Sequence, residues 1–155
     1  MKALAKGLMT IALLAATTAC DGSPTGSSAF VSEGDGIAMA SQPSSTLSFS
    51  STQTYDFASR TAQSASGSAG GIEFAGSLET GTPCVNVSAT HNHRRNDVTV
   101  TVTATDNGNI CQQVITHNNY TGRVSGVAAG SYSFTVVHSA GGRSQTAWSG
   151  AVTVQ

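Results

Sequence analysis

From Ile72 to the end, the chain alternates apolar and polar residues in short runs separated by turn-forming residues. Ile72, Phe74 and Leu78 mark a first strand, and Val85, Val87 and Ala89 a second. Val98, Val100, Val102 and Ala104 mark a third, interleaved with Thr99, Thr101, Thr103 and Thr105. A fourth covers residues 111–116 and a fifth lies near 120–124. Tyr132, Phe134 and Val136 mark a sixth, and Trp148, Val152 and Val154 a seventh. A period of two is the signature of a strand that buries one face, and no run has helical periodicity. Turn signals stand between the runs: Thr80-Gly81-Thr82-Pro83, Asp106-Asn107-Gly108, Ala128-Ala129-Gly130 and Ala140-Gly141-Gly142. About seven short strands at this spacing predict an all-β, antiparallel sandwich over residues 72–155.

The second and third strands predict a hairpin. Pairing Val85 with Ala104, Val87 with Val102 and Ala89 with Val100 places His91 opposite Val98, with every pair on one face. Arg-Arg suits a two-residue type I′ turn poorly, so the pattern predicts a four-residue loop, His93-Arg94-Arg95-Asn96.

The first part of the chain reads differently. Met1 to Lys6 is short and basic, residues 8–16 are almost wholly apolar, and Thr17-Thr18-Ala19 precede Cys20. That order is a secretory signal, and the apolar run is shorter than the roughly 20 residues a membrane-spanning helix needs. Thr17-Thr18-Ala19-Cys20 resembles the lipobox of bacterial lipoproteins, with Thr17 where that family prefers Leu. The resemblance implies cleavage after residue 19, and diacylation of the Cys20 thiol with chains such as palmitate. It also implies anchoring to a membrane from the periplasmic or exterior side of the cell envelope. Residues 20–71 are rich in Ser, Thr, Gly and Ala and read as the lipidated cysteine plus a flexible, disordered tether. Within them, residues 46–50 and 55–57 alternate, leaving open a short docked strand.

Loss of the leader removes Lys2 and Lys6, the only lysines. Five arginines then face eight acids, a net charge of −3 with His neutral. Without a basic stripe, nucleic acid is not expected as a partner. Cys84 and Cys111 are the cysteines left after lipidation, and in an exported chain two thiols most simply form a disulfide.

Val127-Ala128-Ala129-Gly130-Ser131-Tyr132-Ser133-Phe134 looks like the G-x-Y strand start of bacterial immunoglobulin-like and fibronectin-III-like domains. The resemblance implies that Tyr132 forms a corner, its hydroxyl bonding backbone just upstream. Phe134 stands where antibody-type domains carry a cysteine, so the Cys84–Cys111 bridge is not the antibody bridge. Such sandwiches host unrelated functions.

Few residues suggest chemistry. His91 and His93 form an H-x-H pair on one strand face, and His138 lies in phase with Tyr132, Phe134 and Val136. Three imidazoles at strand ends can hold zinc or copper if they converge. His117 is in phase with Cys111 and Ile115. The acids show no pair suited to acid–base work, and no G-x-S-x-G elbow occurs. The Arg94-Arg95 turn could meet anionic headgroups or polysaccharide, and otherwise is a solvated turn. Trp148, the only tryptophan, is expected between the sheets. The expectation is a non-catalytic, cofactor-free lipoprotein anchored through Cys20, with a protein or glycan partner in the envelope. The alternative is a periplasmic metal-binding protein using His91, His93 and His138.

Overall fold

The structure, a computed structural model, describes residues 44–155; the leader, Cys20 and the first half of the tether lie outside the described residues. Eight strands follow one another: β1 (Thr46–Thr54), β2 (Ser64–Ser68), β3 (Gly71–Thr80), β4 (Val85–Arg94), β5 (Asp97–Asp106), β6 (Thr116–Ser125), β7 (Gly130–Ala140) and β8 (Arg143–Val154). A 3-10 turn, Phe57–Ser59, sits between β1 and β2. One sheet has the order β1-β6-β3-β2 and the other β4-β5-β7-β8. The molecule is an all-β sandwich, as the alternation indicated.

The alternating residues build the core. Ile72, Phe74, Leu78, Tyr120 and Val124 point inward from the first sheet. Val98, Val100, Val102, Tyr132, Phe134, Val136, Val152 and Val154 meet them from the second. Aromatic rings run in a continuous line across both sheets: Phe49 to Tyr120 at 5.8 Å, Tyr120 to Phe74 at 6.2 Å, Phe74 to Phe134 at 5.8 Å and Phe134 to Trp148 at 5.9 Å. Trp148 is half-buried on edge strand β8, so it flanks the core rather than filling its centre. Gly122 lies between Phe49 and Phe74 in the register. Any Cβ there would collide with the Phe74 ring.

Several expectations need correction. Residues 46–68 contribute β1 and β2, so the tether does not extend to residue 71. Their composition is poor in apolar residues, but a strand joining an existing sheet need bury only one face. Leu47, Phe49 and Ala65 supply it, while Ser and Thr face solvent. The expected fourth strand does not exist: residues 107–115 are a loop, and β6 starts at Thr116, where Thr54 of β1 and Thr80 of β3 begin to flank it. The hairpin register is shifted by two residues, with Val85 facing Asp106, Val87 facing Ala104, and His91 facing Val100. An even shift keeps every side chain on its expected face. The turn is two residues, Arg95-Asn96, not four, and Arg95 adopts a φ of 54° to make it. Finally, β5 and β7 run parallel. The chain leaves β5, crosses to the other sheet as β6, and returns, which is the crossover a parallel pair requires.

The sandwich has two poles. At one, here the proximal pole, lie the start of β1, the β2–β3, β4–β5 and β6–β7 turns, and the end of β8. At the other, the distal pole, lie residues 55–63, 81–84, 107–115 and 141–142. Both long sides are closed. Ser45 Oγ and His91 Nε2 share a hydrogen bond of 2.9 Å across β1 and β4. The Gln53 amide donates to the Pro83 carbonyl at 2.9 Å. On the other side, the Gly70 amide donates to the Gln155 carbonyl at 3.1 Å. Such closure protects edge strands that would otherwise offer unpaired backbone groups.

Candidate functional site

The structure does not bring His91, His93 and His138 together. His91 and His93 face Val100 and Val98 from one side of β5, and His138 faces Val102 from the other side. Two strand spacings, about 10 Å, therefore separate the backbones, whereas ligands must all reach one ion at about 2.0–2.1 Å. Among the described residues no group of three His, Cys, Asp or Glu side chains is arranged to hold a metal. Each ring has another role. His91 closes the β1–β4 side. His93 Nε2 donates to the Arg95 carbonyl at 3.0 Å, and its ring meets Tyr132 edge-on at 5.7 Å.

His138 belongs to a buried chain that joins the sheets. The Tyr120 hydroxyl donates to Gln63 Oε1 at 2.7 Å and lies 2.8 Å from His138 Nε2. Gln63 Nε2 donates to the Ser77 carbonyl at 3.0 Å, which fixes the amide orientation. Since Tyr120 has one proton and gives it to Gln63, the contact with His138 requires a proton on Nε2. Burial pushes Tyr120 up to about 12, outweighing the bond to Gln63, and pushes His138 below its ordinary value. At neutral pH both are uncharged, which suits a structural bridge.

Cys84 and Cys111 form a disulfide with Cα atoms 6.0 Å apart. Cys84 immediately precedes β4 and so lies outside its alternation. The bond ties the 107–115 loop to the β3–β4 turn. The Tyr132 hydroxyl donates to the Ala128 carbonyl at 3.0 Å, the corner that the resemblance implied.

The carboxylates mostly serve the scaffold. Glu73 pairs with Arg123 on the solvent face. Asp56 caps the 3-10 turn, accepting from the Ala58 amide at 2.9 Å and the Ser59 hydroxyl at 2.7 Å, and the Ser59 bond, ahead of the Ala58 bond, holds its carboxyl below the usual value. Asp106 accepts from the Gly108 amide at 2.7 Å. His117 is not on the face it was expected to share with Cys111. It lies on the outer side of β6, fully buried beneath Phe57, whose ring is 4.4 Å away, with Glu79 Oε2 4.0 Å from Nδ1. Neither ring nitrogen has a hydrogen-bond partner among the described residues.

The distal pole carries a feature that alternation alone conceals. The large apolar side chains left exposed among the described residues are Tyr55, Phe57, Ile110, Val114 and Ile115. All five belong to two loops at that pole, and the loops are neighbours because Thr54 faces His117 across β1 and β6. Ile110 is wholly exposed beside the disulfide-bonded Cys111. The sequence signal was a run of apolar residues, Ile110 and the adjacent pair Val114-Ile115, that does not alternate.

The proximal pole carries a cleft of about 510 Å³ lined by Ser44, Ser45, His93, Arg95, Asn96, Gly126, Ala128 and Tyr132. Asn96 Nδ2 donates to the Ser131 carbonyl at 3.0 Å, pinning the turn against β7. No family model, curated protein or solved structure matches this chain.

Proposed function

We propose that the chain is a lipid-anchored, non-catalytic lipoprotein of the cell envelope, whose immunoglobulin-like sandwich binds a protein partner through its distal pole. The observation that carries this reading is the gathering of Tyr55, Phe57, Ile110, Val114 and Ile115 at one end of the domain. Scattered exposed apolar residues need no explanation, but large ones confined to two neighbouring loops at one pole point to an interaction surface. The disulfide braces one of the two loops, so less ordering entropy is lost on binding.

Geometry favours the same end. The chain reaches β1 at the proximal pole, and 23 residues separate Cys20 from Ser44. An anchor at Cys20 would lead into the domain at its proximal pole, and ten-residue strands place the distal pole about 33 Å from it.

The occupant we assign is a protein with an apolar recess. Five partly exposed side chains amount to on the order of 500 Å² of apolar surface, in keeping with the apolar share of an interface of roughly 800 Å² per partner. The rim carries Asp56, Glu79 and Asp106 against Arg60 and Arg143, and Arg60 lies over the Phe57 ring at 5.4 Å. That balance disfavours an anionic lipid surface.

The test has two arms. Cys20→Ser should abolish palmitate labelling and release the protein from membranes; labelling like the unaltered chain refutes the anchor. Ile110→Ser with Ile115→Ser should shrink the native complex extracted from membranes while leaving the unfolding temperature within a few degrees. An unchanged complex refutes the distal-pole reading.

A further inference from the structure

Arg95 is the only non-glycine residue with a left-handed backbone among the described residues, φ 54°. It occupies the first central position of the two-residue β4–β5 turn, where hairpins favour Gly, Asn or Asp. An arginine there is strained, because its Cβ crowds the following carbonyl. Glycine at this position would relieve the strain, and the chain uses glycine at positive φ in other turns, such as Gly70, Gly126 and Gly141. Strain of this kind persists where the surrounding structure holds it, and it clusters at ligand and active sites.

The surroundings indicate what the side chain is for. Arg95, His93, Asn96, Ser44 and Ser45 line the proximal cleft. His93, Asn96 and Tyr132 direct their donors to backbone carbonyls, so the charged group the cleft offers is the Arg95 guanidinium, with Arg94 flanking it. The Arg95 guanidinium makes no ion pair with any described residue. The His93 bond to the Arg95 carbonyl and the Asn96 bond to Ser131 hold the turn rigid beneath it. The cleft opens beside the point where the chain arrives at the domain from Cys20.

We propose that this cleft receives a phosphate-bearing anion, supplied by the headgroup of an anionic phospholipid in the membrane to which the chain is anchored. The source of the anion rests on the lipoprotein reading above; the strained turn and its cleft do not. Arg95 supplies a planar fork of donors suited to a phosphate, and contact with the headgroups would orient the apolar pole away from the bilayer. One arginine near an anionic surface contributes roughly fivefold in occupancy, and the tether supplies the high local concentration that so weak a contact needs.

The experiment attaches the chain from Cys20 to vesicles through a maleimide lipid, which removes any dependence on natural lipidation. Cys20 is the available thiol because Cys84 and Cys111 are joined. Phenylglyoxal labelling of individual arginines is then read by mass spectrometry. On phosphatidylglycerol vesicles, labelling of Arg95 should slow several-fold relative to phosphatidylcholine vesicles, and recover in 0.5 M salt. Arg143, at the distal pole, serves as the internal control and should not change. Arg95→Gly should raise the unfolding temperature by a few degrees and, coupled through Cys20, should lose most of the phosphatidylglycerol-dependent protection of the neighbouring Arg94. Arg95→Lys should keep part of that protection. Equal Arg95 labelling on both vesicle types overturns the proposal, as does an Arg95→Gly chain whose Arg94 is protected like that of the unaltered chain. If inorganic phosphate protects Arg95 and phosphatidylglycerol does not, the headgroup assignment is wrong.

Discussion

Tyr120 is the residue on which the inter-sheet contact turns. Its ring sits in the aromatic line, and its hydroxyl links Gln63 of the first sheet's flank to His138 of the second sheet. Tyr120→Phe keeps the ring but leaves two buried groups without their partner, so urea unfolding should show a loss of about 1–3 kcal/mol. The same chain sets a pH window. The folded protein holds the Tyr120 proton up to about 12, while the unfolded chain releases it near 10. Stability from this group is therefore complete below pH 10 and lost as pH rises towards 12, on the order of 3 kcal/mol in all. His138 acts in the opposite direction. Its folded value is lowered by burial, so the unfolded chain takes up the proton first, and stability falls as pH drops below about 6.5. Unfolding free energy measured against pH should show a plateau between these limits, and Tyr120→Phe should remove the alkaline fall. Gly122→Ala tests the packing of the same line: the added methyl strikes the Phe74 ring, and overpacking should cost roughly 1–3 kcal/mol in the same urea experiment. None of this network was legible in the sequence. Gln63 sits among small polar residues, and only the fold brings residues 63, 120 and 138 together.

At the scale of elements, alternation identified β3, β4, β5, β6, β7 and β8, with β6 placed only near residues 120–124, and it left β1 open as a short docked strand. It failed where the signal was weak or misleading. In β1 and β2 the buried face consists mainly of Leu47, Phe49 and Ala65. Gly67 there lies against the Thr153 carbonyl of β8, a position no larger residue fills. In residues 107–115 the apolar residues suggested a strand, but no neighbouring strand reaches them, and the disulfide holds the loop instead. The hairpin was expected two residues out of register because apolar pairing is equally good in both registers, and the decision lay with the turn at Arg95. The disulfide gives this scale its prediction. Closing the segment from residue 84 to 111 should contribute about 3.5 kcal/mol in the chain-entropy view. Cys84→Ser with Cys111→Ser should lower stability by up to that amount in denaturant unfolding, and should increase hydrogen exchange in residues 107–115 more than in β5.

The whole molecule has a direction. The cleft with Arg95 and the start of β1 share one pole, and the exposed apolar side chains share the other. In the sequence the lipobox-like residues, the bridge cysteines and the Arg94-Arg95 turn stand as separate features. Their arrangement depends on β1 running from the proximal to the distal pole and on β6 returning between β1 and β3, which required the sheet order. The histidines likewise looked like a group in sequence because all three share the inward phase. Strand order separates them, and each instead fastens a different part of the sandwich.

The direct measurement is site-resolved photo-crosslinking in living cells on the full chain. A benzophenone amino acid replaces Ile110 or Ile115 at the distal pole, or Ser88 on the outer face of β4 as a comparison. Discrete protein adducts are expected from positions 110 and 115 and not from position 88. Adducts of the same kind at all three positions, or none at the distal pole, would contradict the distal-pole reading.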